Sequence, residues 1–205
     1  MLIIKAKFAN MDNKKMESIS NAHGWIQTYS GNKFHILKPV ISELSIKDIA
    51  HSQSLLCRFC GHSPFFFSVG SHALIGSYLI EKTQSGSNVR QYALDFLMHD
   101  STESFIGDMV TPLKREMKRF QEVEEKLFKI IAKKYNLSYP MPKEVKEMDK
   151  FMFETEWAYL MTHSYNKQKS QGRNSLISKK DFLEIASLPP KTIEKLFLKR
   201  FKELS

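Results

Sequence analysis

The sequence predicts an all-α fold. Apolar residues recur at three- and four-residue intervals through several long stretches. Ser45, Ser68 and Pro112 stand where helix starts are marked. No stretch shows the strict alternation of a half-buried strand, and there is neither an internal repeat nor a sustained heptad. With 205 residues and 42% hydrophobic content, the chain can bury one sizeable core, with room for an appendage.

Residues 1–23 open apolar and then turn polar and lysine-bearing without periodicity, which reads as a peripheral arm. Residues 24–39 read as a strand-like or irregular segment turning at Ser30, Gly31 and Asn32. A first helix is expected over 45–59, with Ser45 as N-cap, Asp48 three residues on, and Ile46, Ile49, Ala50, Leu55 and Leu56 at helical spacing. After a Gly- and Pro-containing loop, Ser68 can cap a second helix over 69–82 that buries Ala73, Ile75, Leu79 and Ile80. A turn over 83–88 leads to a third helix over 89–99.

Pro112 begins a long helix that continues to Asn136, with Leu113, Met117, Phe120, Val123, Leu127, Ile130 and Ile131 as its apolar stripe. Another helix is expected over 143–162, with Val145, Met148, Met152, Phe153 and Leu160 inward. Residues 164–175 read as a polar loop. A final helix over 190–204 turns Ile193, Leu196, Phe197 and Phe201 to the core, either on this domain or at an oligomer contact.

Several functional classes are disfavoured by composition. No run approaches the roughly 18–20 apolar residues that a membrane span needs, and the opening MLIIKAKF is too soon interrupted by charge to be a secretory signal. Two cysteines and ten methionines suit a reducing compartment, so a cytoplasmic location without a membrane partner is expected. Lys and Arg exceed Asp and Glu by 31 − 22, or +9, which favours anionic partners from nucleotides to nucleic acid. The lysines are spread through the second half and form no single run, so no stable nucleic-acid partner is expected.

The chemistry concentrates after the third helix, where His99, Asp100, Glu103 and Asp108 follow in close succession. Adjacent His and Asp offer a neutral imidazole nitrogen and a hard carboxylate oxygen, a mixture suited to divalent Mn, Fe, Co or Zn. A pair is too few ligands for a site. His72 in the second helix and Asp149 in the 143–162 helix supply the missing groups, giving two imidazoles and two carboxylates. Each of these two alone would read as a packed histidine or a solvated carboxylate.

Around these residues the chain resembles the HD-domain metal-dependent phosphohydrolases, and in particular the small single-domain branch of 5'-deoxynucleotidases and phage-type deoxynucleoside triphosphohydrolases. The matching residues are Arg58-Phe59, then Ser68-Val69 ahead of His72, then Leu97-Met98-His99-Asp100 running through Glu103 to Asp108. Pro112-Leu113-Lys114, Lys146-Glu147-Met148-Asp149 and Thr155-Glu156 complete the match, which covers about residues 24–162. The resemblance implies an HD-domain helical bundle over 24–162, with residues 163–205 packing on it or at an oligomer interface.

It further implies that His72, His99, Asp100 and Asp149 ligate one divalent ion of Mn, Co, Zn, Fe or Mg. Glu103 would activate or position water, with Asp108 a second acidic group near the phosphate. Arg58 would clamp phosphate, Phe59 would pack near sugar or base, and Lys114 would add positive charge. The activity implied is hydrolysis of deoxynucleotides, as a 5'-nucleotidase or a triphosphohydrolase, by a homo-oligomer. A non-catalytic nucleotide- or nucleic-acid-binding module and a (p)ppGpp or cyclic-dinucleotide hydrolase are the alternatives.

The chain departs from the family pattern at two positions. Ser71 stands where a Glu is usual, and Cys60 where glycine is common. Cys57-x-x-Cys60 with His62 lacks a second CxxC, which argues against a zinc knuckle or redox pair. His23, His35, His51 and His163 are read as structural or surface residues.

Overall fold

A computed structural model describes residues 24–161 and 176–205. The expected arm, the polar 164–175 loop, His23 and His163 lie outside the described residues. The architecture is helical, as the periodicity predicts, with one short antiparallel hairpin of β1 (Ile26–Gln27) and β2 (Lys33–Phe34). The helices are α1 (Ile46–Leu55), α2 (Val69–Thr83), α3 (Val89–Met98), α4 (Glu103–Ile106), α5 (Thr111–Glu116), α6 (Lys118–Tyr135), α7 (Lys143–Leu160), α8 (Lys179–Ala186) and α9 (Pro190–Leu204).

The centre of the fold is α2. It is buried on nearly every side, from Val69 through Ser77, and packs against α1, α3, α7, α8 and α9. Such a helix needs apolar or small residues all round, and VGSHALIGSYLI provides them. Ser68 starts it as predicted, its hydroxyl accepting from the Ser71 amide at 3.0 Å. Gly76 lets α3 approach closely, since a Cβ there would lie 2.1 Å from Phe96 Cε1.

The C-terminal helix joins this same core. Ile193, Phe197 and Leu204 of α9 are buried against α1, α2 and α3. Arg200 is also buried; it donates to Ser77 Oγ at 3.0 Å and pairs with Glu81 at 2.8 Å. Its charge is tolerated because every nearby partner is a hydrogen-bond acceptor.

Several elements differ from the sequence reading. The long helix predicted from Pro112 to Asn136 breaks at Met117 (φ −103°, ψ 74°), giving α5 and α6. The Gln121 side-chain amide takes the carbonyls freed there, at 2.6 Å to Lys114 and 3.3 Å to Arg115. Leu113 and Met117 are therefore exposed, and the buried residues of this region are Leu127, Ile131 and Ala132. The helix ends at the left-handed Asn136, a conformation Asn tolerates at a helix terminus.

Ser45 makes no side-chain cap on α1. Asp48 turns outward from that helix instead, accepting from the Ser30 amide at 2.7 Å and so tying the hairpin down. Phe153, expected inward, is half exposed. Helix α8 went unread, although Ser178 and Asp181 carry a capping signature, with Ser178 Oγ accepting from the Asp181 amide at 3.1 Å.

Gly76→Ala is expected to force Phe96 out of its place on α2 and to destabilise the protein by about 1–3 kcal/mol, the usual effect of overpacking. Urea unfolding of the variant against the wild type measures this; an unchanged midpoint would contradict the close α2–α3 contact.

Candidate metal centre

Three helices carry the centre. His72 lies in the middle of α2 and is fully buried. His99 and Asp100 follow directly on the end of α3, and Asp149 stands midway along α7. The ligand atoms of His72, His99 and Asp100 lie within 4.8 Å of one another, so these residues can hold a metal ion. Asp149 reaches the same point, its Oδ1 lying 3.3 Å from His72 Nε2 and 3.6 Å from His99 Nε2. The structure thus brings together the four residues that the sequence singled out.

Hydrogen bonds fix both rings. His99 Nδ1 donates to the Phe96 carbonyl at 2.6 Å, an oxygen that can only accept. His72 Nδ1 meets Glu156 Oε1 at 2.5 Å. With both Nδ1 atoms committed, the two Nε2 atoms face each other at 3.3 Å, beside Asp100 Oδ2 at 3.2 Å from His99. Two lone pairs at that separation call for a cation between them, either a proton or a metal ion. The donor set of two imidazoles and two carboxylates fits a divalent first-row ion.

The electrostatics agree. Burial opposes charge on His99, but the Asp100 and Asp149 carboxylates outweigh it and hold its pKa well above the usual value. Burial works against ionised Asp100 as well, yet His99, His72 and Arg58 bring its pKa down to about 2. Asp149 is depressed further by its hydrogen bonds to both histidines, again against the effect of burial. Glu103 behaves in the opposite way. Burial, then the neighbouring charges of Asp100 and Asp108, push its pKa up to about 10. Its Oε2 is buried with no partner among the described residues. Asp108 is raised too, first by burial.

Arg58 is presented by a tight turn in which Phe59, Cys60 and Gly61 have φ of 54°, 49° and 76°. Left-handed backbone at two non-glycine residues stores strain on the order of 1 kcal/mol each. At Cys60 a glycine would relieve it. The guanidinium gives Nη2 and Nε to Glu156 Oε2 at 3.0 and 3.2 Å, and points Nη1 towards Asp100 at 3.6 Å.

Ser71 does not orient His72. Its hydroxyl bonds to Ser68 at the start of α2, and Glu156 supports the ring instead. Glu156 was visible in the sequence only as part of the Thr155-Glu156 match; its i+7 offset from Asp149 puts the two on the same side of α7, about two turns apart.

Two surfaces flank the centre. Towards the start of α7 is a cleft of about 480 Å³, lined by His99, Lys114, Gln121, Tyr139, Lys146 and Asp149 among others. Lys114 is bound there to Glu124 at 2.6 Å. Towards the end of α7, Phe59 packs with Phe153 and Trp157 at ring separations of 6.2 and 6.4 Å. Asp149, Phe153 and Trp157 fall at i, i+4 and i+8, so the aromatic ridge starts one turn from the ligand.

Two further histidines have structural partners, His35 with Glu43 at 2.6 Å and His51 with Glu194 at 3.0 Å. Both cysteines are free, and neither belongs to the group able to hold a metal among the described residues.

The fold and site define a helical protein with a candidate two-histidine, two-carboxylate metal centre. It belongs to the family of the Escherichia coli K12 protein YfdR, an uncharacterized protein to which it is 38% identical over 132 residues, 64% of this chain and 70% of the relative. It is also 29% identical over 125 residues to an uncharacterized protein of Rhodobacter capsulatus, covering 60% of this chain and 63% of that relative. No family model matches the chain. No helix among the described residues is long and apolar enough to cross a membrane.

Metal uptake must displace protons, because His99 is raised in the metal-free protein and only the neutral ring can ligate. Affinity for Co²⁺ or Mn²⁺ is therefore expected to rise with pH and to fall as pH drops through the raised His99 pKa. Calorimetric titration in buffers of different ionisation enthalpy should show net proton release; a buffer-independent heat would contradict the assignment.

Proposed function

We propose that this protein is an HD-type, divalent-metal-dependent phosphohydrolase acting on deoxynucleotides. The observation that carries this reading is the convergence of His72, His99, Asp100 and Asp149 beside the guanidinium of Arg58 and the buried carboxyl of Glu103. An ion held by the four ligands supplies a lowered water pKa and neutralises charge on a phosphate oxygen.

The remaining chemistry belongs to the chain. Arg58 turns its Nη1 edge to the centre, where a planar donor suits phosphate oxygens and stabilises charge developing on them. Glu103 is the proton-handling group. It is held neutral by burial and by the charge of Asp100, and gives up its proton only when that charge is compensated. It then accepts the proton of the attacking water. Asp108 stands behind it as a second acidic group.

The aromatic ridge of Phe59, Phe153 and Trp157 supports a nucleoside substrate, since bases of any identity stack on such faces. The basic balance of +9 also favours an anionic substrate. Attack at the 5' phosphorus releases a nucleoside from a monophosphate, or intact triphosphate from a triphosphate.

Product analysis tests the reading. Metal-stripped protein reloaded with Mn²⁺, Co²⁺, Zn²⁺ or Mg²⁺ is offered deoxynucleoside mono- and triphosphates and their ribonucleotide counterparts. Inorganic phosphate with free nucleoside identifies a 5'-nucleotidase, and triphosphate with free nucleoside a triphosphohydrolase. A bound ion with no product from any substrate would refute the enzyme and favour a binding module. In the active protein, Glu103→Gln is expected to keep the metal and to slow turnover by about 10²–10⁴-fold, the range for a lost acid–base group. Unchanged kcat would remove Glu103 from its role.

A further inference from the structure

We infer that Glu156 and Arg58 form a positioning relay that sets the metal affinity of the centre, although neither supplies a ligand. The inference rests on the reading of the His72 cluster as a metal site, and it concerns the two side chains behind that cluster.

Glu156 is fully buried, and its two oxygens do different work. Oε1 accepts from His72 Nδ1 at 2.5 Å, and Oε2 accepts from Arg58 Nη2 and Nε at 3.0 and 3.2 Å. The carboxylate is therefore held between a ring and a fork, both fixed in plane. Its bond to Nδ1 dictates that Nε2 of His72 carries the free lone pair and aims it at His99, 3.3 Å away. A carboxylate behind a metal-binding imidazole fixes the ring and raises its basicity.

Arg58 closes the arrangement from the other side. Its Nη1 lies 3.6 Å from Asp100 Oδ2, so one guanidinium touches the carboxylate that holds His72 and a carboxylate within the cluster itself. Without Arg58, Glu156 would be a buried carboxylate with no cationic partner and His72 its only contact. The relay thus joins the face where an oxyanion would meet Arg58 to a ligand at the far side of the centre.

The roles of the two nitrogen edges differ. The Nε/Nη2 edge is committed to one oxygen of Glu156, whereas Nη1 faces the cluster. A lysine keeps the charge but cannot present two donors to one oxygen and a third to Asp100.

The test is metal titration of the full-length, metal-stripped protein with Co²⁺, read by calorimetry and by the visible absorption of the bound ion. Arg58→Met and Glu156→Gln are each expected to weaken Co²⁺ binding by about 10–100-fold, the usual effect of losing support behind a ligand, and to change the band shape. Arg58→Lys should recover only part of the loss. A purely structural role would lower the unfolding temperature while leaving the spectrum and affinity of the folded fraction unchanged, and that result would overturn the inference. Wild-type protein that takes up no Co²⁺ would defeat the metal reading and this inference together, whereas equal binding by wild type and variants defeats the inference alone.

Should Glu156→Gln fail to fold, Arg58→Met still decides, because Arg58 lies outside the helices. A measurement on the wild type decides independently. In the zinc-loaded protein, nuclear magnetic resonance should show a proton on His72 Nδ1, strongly deshielded by Glu156. A His72 ring without a proton at Nδ1 would overturn the relay.

Discussion

The centre depends on one constraint, that a fully buried histidine on a fully buried helix has its Nδ1 tied to a fully buried carboxylate. An ionised carboxylate in such a place is tolerable only with partners, and breaking a buried pair from one side costs on the order of 3–5 kcal/mol. Glu156 has two partners, His72 and Arg58, which come from α2 and from the strained turn before it. Three separate parts of the chain, including α7, are therefore fixed relative to one another by a single carboxylate. The apolar packing acts on the same point. Phe96 fills the space that Gly76 leaves and lies against both imidazoles, at ring separations of 5.3 Å from His72 and 4.6 Å from His99. The contact that docks α3 on α2 thus also sets how far apart the two ring nitrogens stand.

Charge around this point is unbalanced in one direction. Asp100, Asp149, Glu156, Glu103 and Asp108 surround Arg58 and two histidines, and the shifts record the imbalance. Asp100 and Asp149 are driven to ionise, and the histidines are driven to take up protons. Glu103, a step further out and buried, is driven to stay neutral. Groups of one chemical type are pushed apart in this way where burial and neighbouring charges act on them unequally. The chain as a whole is strongly basic, so the local deficit of positive charge is a property of the site and not of the composition.

The helical class and most helix bounds were legible because α3, α7 and α9 have apolar positions at helical spacing and Ser68 marks the start of α2. The break at Met117 was not, since no Pro or Gly marks it; it is sustained by Gln121 bonding back to Lys114 and Arg115, a tertiary solution that periodicity cannot express. Phe153 was misplaced inward because an aromatic at i+4 from Asp149 reads as core on a helical stripe, whereas the ring stands at the rim with Trp157. The ligand set was legible from residue type and order. The support behind it was not, because Glu156 lies 84 positions from His72 and an isolated Glu on an amphipathic helix gives no sign of burial. Ser71, beside His72 in sequence, serves the helix start, whereas the support of the ring comes from Glu156, far along the chain.

Exposure within the ligand set fixes the side from which the centre is reached. The side chains of His72, His99, Asp100 and Asp149 are 0, 10, 20 and 47% exposed, a steady rise from α2 outward to α7. The interior groups are the ones held by Glu156 and by the Phe96 carbonyl, while Asp149 meets solvent and pairs with the two histidines it faces. The exposed side of the centre is therefore the α7 side, between the cleft that contains Lys146 and the ridge of Phe153 and Trp157. The division follows from packing. The most buried groups of the set are the ones whose rings are fixed by hydrogen bonds, and the most exposed is the carboxylate of Asp149. Asp149 and Glu156, seven residues apart, lie on the same side of α7 about two turns from each other, so one stripe of this helix supplies both the most exposed carboxylate of the centre and the buried one behind His72.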